Sequence, residues 1–288
     1  MAAELIESIG HLRLRLTEAR RSNATIGLVP TMGALHAGHV RLIEEARHDC
    51  QAVAVSIFVN PLQFDREDDL RRYPRTLDAD RQICARFGVD IVFAPPVEEM
   101  YPETPECTID VGRLADHLCG KYRPGHFRSV ATVVMKLFDI VQPDRAYFGE
   151  KDAQQLAIIR RMVVDLNVPV RIVGVPTVRE PDGLALSSRN AQLRPSEREL
   201  AIRLFRALEA ADRQIAGGNT DPESVKRVAS AEIPADPSLR LEYLEIVDPD
   251  DMQPLKRITG PVRVAGALWV GSTRLIDNVL SQARTKTL

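Results

Sequence analysis

A chain of 288 residues is long enough to bury one large or two modest cores. Its 38 basic and 40 acidic side chains leave a net charge of −2, which argues against a general nucleic-acid surface or a basic membrane-binding face. No apolar run has the length of a membrane-spanning helix, and the stretch around Glu4 and Glu7 lacks the basic and apolar sections of a signal peptide. The four cysteines form no Cys-x-x-Cys pair, as expected of reduced thiols. The expectation is a soluble cytoplasmic protein with neither a nucleic-acid nor a membrane partner.

The first apolar run, Thr25 to Val29, is short and β-branched enough to be a buried strand. After the segment Pro30 to His39, Val40, Ile43 and Ala46 recur at helical spacing with Arg41, Glu44, Glu45 and Arg47 opposite. Ala52 to Val59 is a continuous apolar run, typical of a parallel strand covered on both faces, and Asn60-Pro61 ends it. A helix from Leu77 to Phe87 leads to a strand at Val89 to Ala94, stopped by Pro95-Pro96. Ser129 to Val141 carries a helical apolar stripe, Arg145 to Gly149 a short strand, Leu156 to Leu166 a further helix, and Val170 to Val175 a last strand. Repeated β-α-β units predict an α/β fold with a doubly wound parallel sheet, whose ligands bind beyond the carboxyl ends of the strands. Beyond about residue 180 the pattern changes: a long helix from Pro195 to Ala216, a shorter one after Asp221-Pro222, then strands at Leu239 to Val247 and Val262 to Val270. This predicts a smaller C-terminal α+β domain with an antiparallel sheet, and a division of the chain into 1–180 and 181–288.

Three motifs fall directly after strands, on one rim. Met32-Gly33-Ala34-Leu35-His36-Ala37-Gly38-His39 reads as a glycine-containing turn into a helix. Its glycines permit a tight turn and close approach of a ligand, and the helix N-terminus offers unpaired N–H groups to phosphate. His36 and His39, three residues apart, reach the same face. The pattern is that of a nucleotide site, though paired histidines also serve zinc, which needs a third ligand, and such a turn is sometimes only structural. Asn60 and Gln63 end the Ala52 to Val59 run with two neutral amides, suited to orienting a small acid without pairing off its carboxylate, or else to satisfying a turn. Gly149-Glu150-Lys151-Asp152 leaves a strand and enters a helix: Lys151 offers a charge to phosphate, Asp152 an acceptor to ribose, and Gln155 lies one turn beyond Lys151. The same residues also make an ordinary charged helix start. In the connector, Leu186-Ser187-Ser188-Arg189 offers hydroxyls and an arginine to a polyphosphate, or a polar helix cap, and Pro181-Asp182-Gly183 suggests a mobile loop. Lys121, Arg123, His126 and Arg128 lie in a Gly/Pro-containing loop that reads equally well as solvated.

Taken in order, Pro-Thr-Met-Gly-Ala-Leu-His-x-Gly-His, Phe-Val-Asn-Pro-x-Gln-Phe, Tyr73-Pro74-Arg75, Arg123-Pro124-Gly125-His126-Phe127, Phe148-Gly149-Glu150-Lys151-Asp152-x-Gln-Gln and Leu-Ser-Ser-Arg-Asn resemble the pantoate–β-alanine ligase (pantothenate synthetase) family of the nucleotidylyltransferase superfamily. The resemblance implies a Rossmann-like domain with a smaller C-terminal lid domain, a homodimer, and the substrates ATP (with Mg²⁺), pantoate and β-alanine. It implies His39 as proton donor, with His36 and Lys151 as catalytic partners. ATP would be held by Met32 to His39, Gly149, Glu150, Lys151, Asp152, Val178, Leu186, Ser187, Ser188 and Arg189. Gln63, Gln155 and Asn60 would hold pantoate and β-alanine. The sequence departs from the family pattern at Leu186, often methionine, and at Ser129, often glycine. Its acidic cluster after Tyr73 is reduced to Asp78 and Asp80 around Ala79, so no metal ligand is assigned.

The implied chemistry is condensation of pantoate with β-alanine through a pantoyl adenylate, giving pantothenate, AMP and pyrophosphate. Preorganised charge at His36, His39, Lys151 and the Ser187–Arg189 segment would stabilise the phosphates. A nucleotidylyltransferase that stops after transferring AMP or CMP to a phosphate ester shares the paired histidines. Its acceptor pocket would want arginines where this chain has Gln63 and Gln155. A nucleotide-binding regulatory module is the third possibility, though binding alone needs fewer charges.

Overall fold

The computed structural model describes residues 3–283; the extreme ends of the two expected domain ranges, 1–2 and 284–288, lie outside the described residues. In chain order the elements are β1 (Glu4–Ile6), α1 (Ile9–Arg21), β2 (Ile26–Thr31), α2 (Ala37–Asp49), β3 (Ala52–Ile57), α3 (Glu67–Arg72), α4 (Leu77–Arg86), β4 (Ile91–Phe93), α5 (Val97–Met100), α6 (Leu118–Tyr122), α7 (His126–Val141) and β5 (Arg145–Gly149). There follow α8 (Ala153–Asp165), β6 (Arg171–Val175), α9 (Pro195–Ala201), α10 (Arg203–Ala216), α11 (Pro222–Ser230), β7 (Leu239–Val247), β8 (Val262–Val270) and β9 (Thr273–Ser281). The chain forms two compact units: the described parts of 1–111, 123–150 and 158–177, and the described parts of 112–122, 151–157 and 178–288. Among the described residues no helix is long and apolar enough to cross a membrane.

The first unit is built on a six-stranded, wholly parallel sheet in the order β1-β4-β3-β2-β5-β6. The apolar run of β3 is buried at Val53, Ala54 and Val55 in succession, as a strand covered on both faces must be. The chain adds β3 and β4 on one side of β2, then crosses to place β5 on the other, so the order reverses between β2 and β5. Ligands of doubly wound sheets lie outside the carboxyl ends of the strands at such a reversal.

Pro30 shapes that reversal. Backbone groups of alternate residues along a strand face alternate neighbours. The carbonyls of Thr25 and Thr31 accept from Ala52 and Phe58, so the odd residues of β2 face β3. Ile26 bonds with Asp144, at the entry to β5, so the even residues face β5. Pro30 therefore turns its N–H-less nitrogen toward β5. Pairing with β5 is confined to Gly27–Arg145 and Leu28–Ala146, whereas the β2–β3 ladder runs on to Thr31–Ile57. The two strands part at their carboxyl ends without stranding a β2 donor.

The second unit holds a three-stranded antiparallel sheet, β7-β8-β9, with α10 and α11 supplying Ala207, Leu208, Ala211, Ile215, Val225 and Ala229 to its core. The expected helix from Pro195 to Ala216 is interrupted at Ile202, whose φ of −67° and ψ of −16° lie toward the tighter 3₁₀ turn. The strand β9 is not anticipated from the sequence. It follows β8 through Gly271-Ser272, with Gly271 at φ +57°, as a two-residue hairpin loop demands. Nor is β1 anticipated: three residues pairing in parallel with β4 are too few to show a period.

Candidate active site

In the first unit the turn after β2 is held from beneath by Asp80, only 1% exposed on α4. Its carboxylate accepts from the backbone N–H of Ala34 at 3.0 Å, of Leu35 at 2.8 Å, and from Thr76 Oγ1 at 3.2 Å. These bonds hold Ala34 at φ +51°, a conformation uncommon for a residue with a Cβ. Gly33, at φ +80°, sits where a Cβ would lie 3.0 Å from both Asp80 Oδ2 and Ile57 Cγ2. Its own N–H donates to Thr31 Oγ1 at 3.1 Å.

The two histidines cap the helix that follows. His36 is the N-cap of α2: its Nδ1 accepts from Gly38 N–H at 3.1 Å, and His39 Nδ1 accepts from His36 N–H at 3.3 Å. The reciprocal box leaves the ring centroids 4.2 Å apart at 41°. An Nδ1 that accepts a backbone N–H carries no proton, so each neutral ring holds its hydrogen on Nε2. Gly38 is small for the same reason: a Cβ there would lie 2.8 Å from His36 Cε1. The expected row of unpaired amides is thus corrected, because Gly33, Ala34, Leu35, His36 and Gly38 all give their N–H groups to the protein. The hydrogen that this capping leaves on each neutral ring is the one on Nε2.

Asn60 and Gln63 lie beyond β3 in the same unit. Asn60, 1% exposed, accepts from Leu62 N–H at 3.2 Å and donates to Gln63 Oε1 at 3.3 Å. Gln63 Nε2 contacts Met32 Sδ, which ties this segment to the β2 turn. Arg123 and His126, which the sequence reads equally well as basic candidates or as solvated loop residues, converge on Gln63: the Arg123 guanidinium at 3.1 Å and His126 Nδ1 at 2.9 Å donate to its backbone oxygen. Arg123 also donates to Asp65 at 2.8 Å. Burial works against ionisation of Asp65, but the charge of Arg123 and its hydrogen bond outweigh that and lower its pKa. Arg128 pairs instead with Asp110 at the surface. Gly149 closes β5 at the parting of the strands, with no atom within 4 Å of where its Cβ would stand, and Glu150 follows it.

The second unit carries the remaining candidates. Lys151 and Asp152 form a 3₁₀ turn ahead of α8, with Lys151 Nζ 3.9 Å from an Asp152 oxygen. Of the two adjacent glutamines, Gln154 is buried and bonds the carbonyls of Leu114 and His117, both at 2.8 Å; Gln155 is half-exposed. Val178 and Leu186 face each other across a short hairpin, Leu186 N–H donating to Val178 O at 3.0 Å. Ser187 then caps the 3₁₀ turn at Ser188–Gln192, accepting from Arg189 N–H at 3.2 Å. The hairpin is tethered where the sequence suggests a mobile loop. Arg179 makes a two-pronged pair with Asp277 at 2.6 and 3.0 Å, and Arg198 pairs with Glu180 and Asp182 at 2.6 and 2.7 Å. No spacing in the sequence announces Asp80, Arg179, Asp277 or Asn278, whose partners lie tens of residues away.

An α/β protein of the Rossmann-like kind, with an imidazole pair at the strand-order reversal, is thereby defined. A family model described as Pantoate-beta-alanine ligase matches residues 4–280. The chain is 52% identical over 277 residues to the pantothenate synthetase of Moorella thermoacetica, covering 96% of this chain and 98% of that one. The crystal structure of pantothenate synthetase from Thermus thermophilus superposes with a TM-score of 0.90 at 47% identity, over 96% of this chain and 98% of that one. The Francisella tularensis pantoate-beta-alanine ligase, crystallised with beta-gamma ATP and beta-alanine, gives 0.81 at 36% identity, over 97% and 98%. The chain belongs to the pantoate–β-alanine ligase family. As a member of it, the protein is a ligase that joins pantoate to β-alanine.

Proposed function

We propose that the protein makes pantothenate from ATP, pantoate and β-alanine by way of a pantoyl adenylate, and that the capped imidazole pair carries the first step. A carboxylate oxygen is a poor leaving group, so the acid must first be activated. The pantoate carboxylate attacks the α-phosphorus of Mg·ATP in line; the new O–P bond forms as the bond to the bridging oxygen breaks and pyrophosphate departs. Charge then spreads over the phosphates, where Nε2–H of His39 and His36 and the ammonium of Lys151 stabilise it with donors fixed in advance. The neutral amine of β-alanine next attacks the acyl carbon, AMP leaves, and the amide forms.

ATP is assigned to Met32 to His39, Gly149 and Glu150 in the first unit, and to Lys151, Asp152, Val178, Leu186, Ser187, Ser188 and Arg189 in the second. Gln63 and Gln155 are assigned to pantoate, Gln63 also to β-alanine, and Asn60 serves by holding the Gln63 amide. Magnesium bound to the nucleotide would supply positive charge to the phosphate oxygens, and no carboxylate of this chain is assigned to it. The oxygens of Asp80 are already engaged by Ala34, Leu35 and Thr76. The homodimer, the cytoplasmic location, and a boundary near residue 180 between a nucleotide-binding domain and a lid domain are part of the same proposal.

What supports it is the Nδ1 engagement of both rings, which fixes two Nε2 donors at a sheet reversal where nucleotides bind. Exchange of labelled pyrophosphate into ATP with pantoate alone, followed by AMP release on adding β-alanine, is the expected result. Exchange that ignores pantoate would instead fit a nucleotidylyltransferase, and no exchange a binding module.

A further inference from the structure

Two of the second-unit segments assigned above to ATP, Lys151 and Ser187–Arg189, are far apart in sequence, yet Lys151 is fastened to one residue of β9 and the hairpin that leads into Ser187–Arg189 is fastened through Arg179 to the residue beside it. Asn278 Nδ2 donates to the Lys151 carbonyl at 2.9 Å. The side-chain amide is oriented by Arg263, which donates to its Oδ1, and the Asn278 backbone N–H donates to Asp277 Oδ1 at 2.7 Å. Asp277, 5% exposed, takes both prongs of Arg179, and the charge of Lys151 also acts on this carboxyl. Arg179 in turn donates to Gly183 O at 3.0 Å and Asn278 O at 3.3 Å, and its guanidinium lies over the Phe205 ring, 4.3 Å from the centroid. Gly183 closes the hairpin at φ +99° where a Cβ would collide with that ring. The hairpin that ends at Ser187 is therefore clamped at its turn and its first strand to the residue next to the one that grips Lys151.

We propose that Asp277 and Asn278, with Arg179, are positioning residues for adenylation: they set the spacing between Lys151 and the Ser187–Arg189 segment. The side chains of the three are engaged with one another, with Gly183 and Arg263, and with the Lys151 carbonyl, and none is assigned to a substrate. Two anchors on neighbouring residues of one strand leave little freedom between the groups they hold, as a preorganised phosphate site requires. The inference rests on the assignment of both segments to ATP.

The test is the pantoate-dependent pyrophosphate–ATP exchange of the full chain, with wild type alongside. Arg179→Lys keeps a charge for Asp277 but loses the fork and the bonds to Gly183 and Asn278. It is expected to raise the KM for ATP at least about tenfold while leaving the KM for pantoate and the melting temperature near wild type. Asn278→Asp, of the same shape, turns the donor to Lys151 into a charged acceptor facing that carbonyl, and it tests the other anchor independently, should the first variant not accumulate folded. A double-mutant cycle supplies the readout that mere structural weakening would not move. If Arg179 acts through the Ser187–Arg189 segment, Arg179→Lys adds nothing to the ATP KM once Ser187, Ser188 and Arg189 are all alanine, whereas independent effects multiply. Unchanged ATP kinetics in both folded single variants, or multiplying effects in the cycle, overturns the positioning role and leaves the ligase reading intact. A wild-type protein without pantoate-dependent exchange overturns both.

Discussion

His36 does two jobs that substitution can separate. As N-cap its Nδ1 satisfies Gly38 N–H, and as a ring it presents Nε2–H to the proposed phosphates. Asparagine caps helices as well as any residue, but with its Oδ1 on the Gly38 N–H its short amide N–H₂ does not reach the position of Nε2. His36→Asn is therefore expected to fold with wild-type stability and to lose roughly a hundredfold in adenylation rate, the usual consequence of deleting one preorganised donor. His36→Ala should show the same kinetic loss and, in addition, about 1 kcal/mol of stability in urea unfolding. Wild-type exchange in the asparagine variant would reduce His36 to a cap. The histidines were legible because their chemistry and spacing sit in one short stretch; which nitrogen each would offer was not, since that depends on backbone N–H groups taking Nδ1.

At the scale of elements, the parallel strands were readable wherever burial is uniform. The β3 run and the stripe of α7 follow from apolar side chains alone. β9 was not, because Asp277 and Asn278 interrupt its apolar alternation at the two positions that tether the hairpin and Lys151. A residue selected for a distant partner breaks the local rule that would have revealed its strand. The turn after β2 gives the same lesson with Asp80, whose neighbour Asp78 is almost fully exposed although sequence treats the two alike. Asp80→Asn replaces one acceptor oxygen by a donor, so one of the Ala34 and Leu35 N–H groups loses its partner. A loss of about 1–3 kcal/mol in urea unfolding is expected, with the magnesium dependence of the reaction unchanged. Intact stability with a shifted magnesium requirement would make Asp80 a metal ligand instead.

Among the described residues apolar clusters pack about the parallel sheet and against β7-β8-β9, and the proposed function assigns ATP to residues in both units. A ligand stabilises only structure to which it binds in preference to the unfolded chain. At a hundredfold excess over its Kd the gain is about 2.7 kcal/mol, which in a protein of this size raises a melting midpoint by roughly 5–10 °C. The two units can be followed separately. Trp269 is the chain's one tryptophan and lies on β8, donating to Glu242 Oε1 at 2.8 Å, so its fluorescence reports the second unit. Amide exchange of Val29, buried in β2, reports the first. Mg·ATP is expected to delay the fluorescence transition and to slow exchange in β2 together. In a chain carrying both His39→Ala and Lys151→Ala, both effects should vanish, while the unliganded melting curve falls only by the loss of the His39 contribution to the α2 cap. Protection confined to β2, with the Trp269 transition unmoved, would take Lys151 and Ser187–Arg189 out of the nucleotide site and leave the imidazole pair to hold ATP without them.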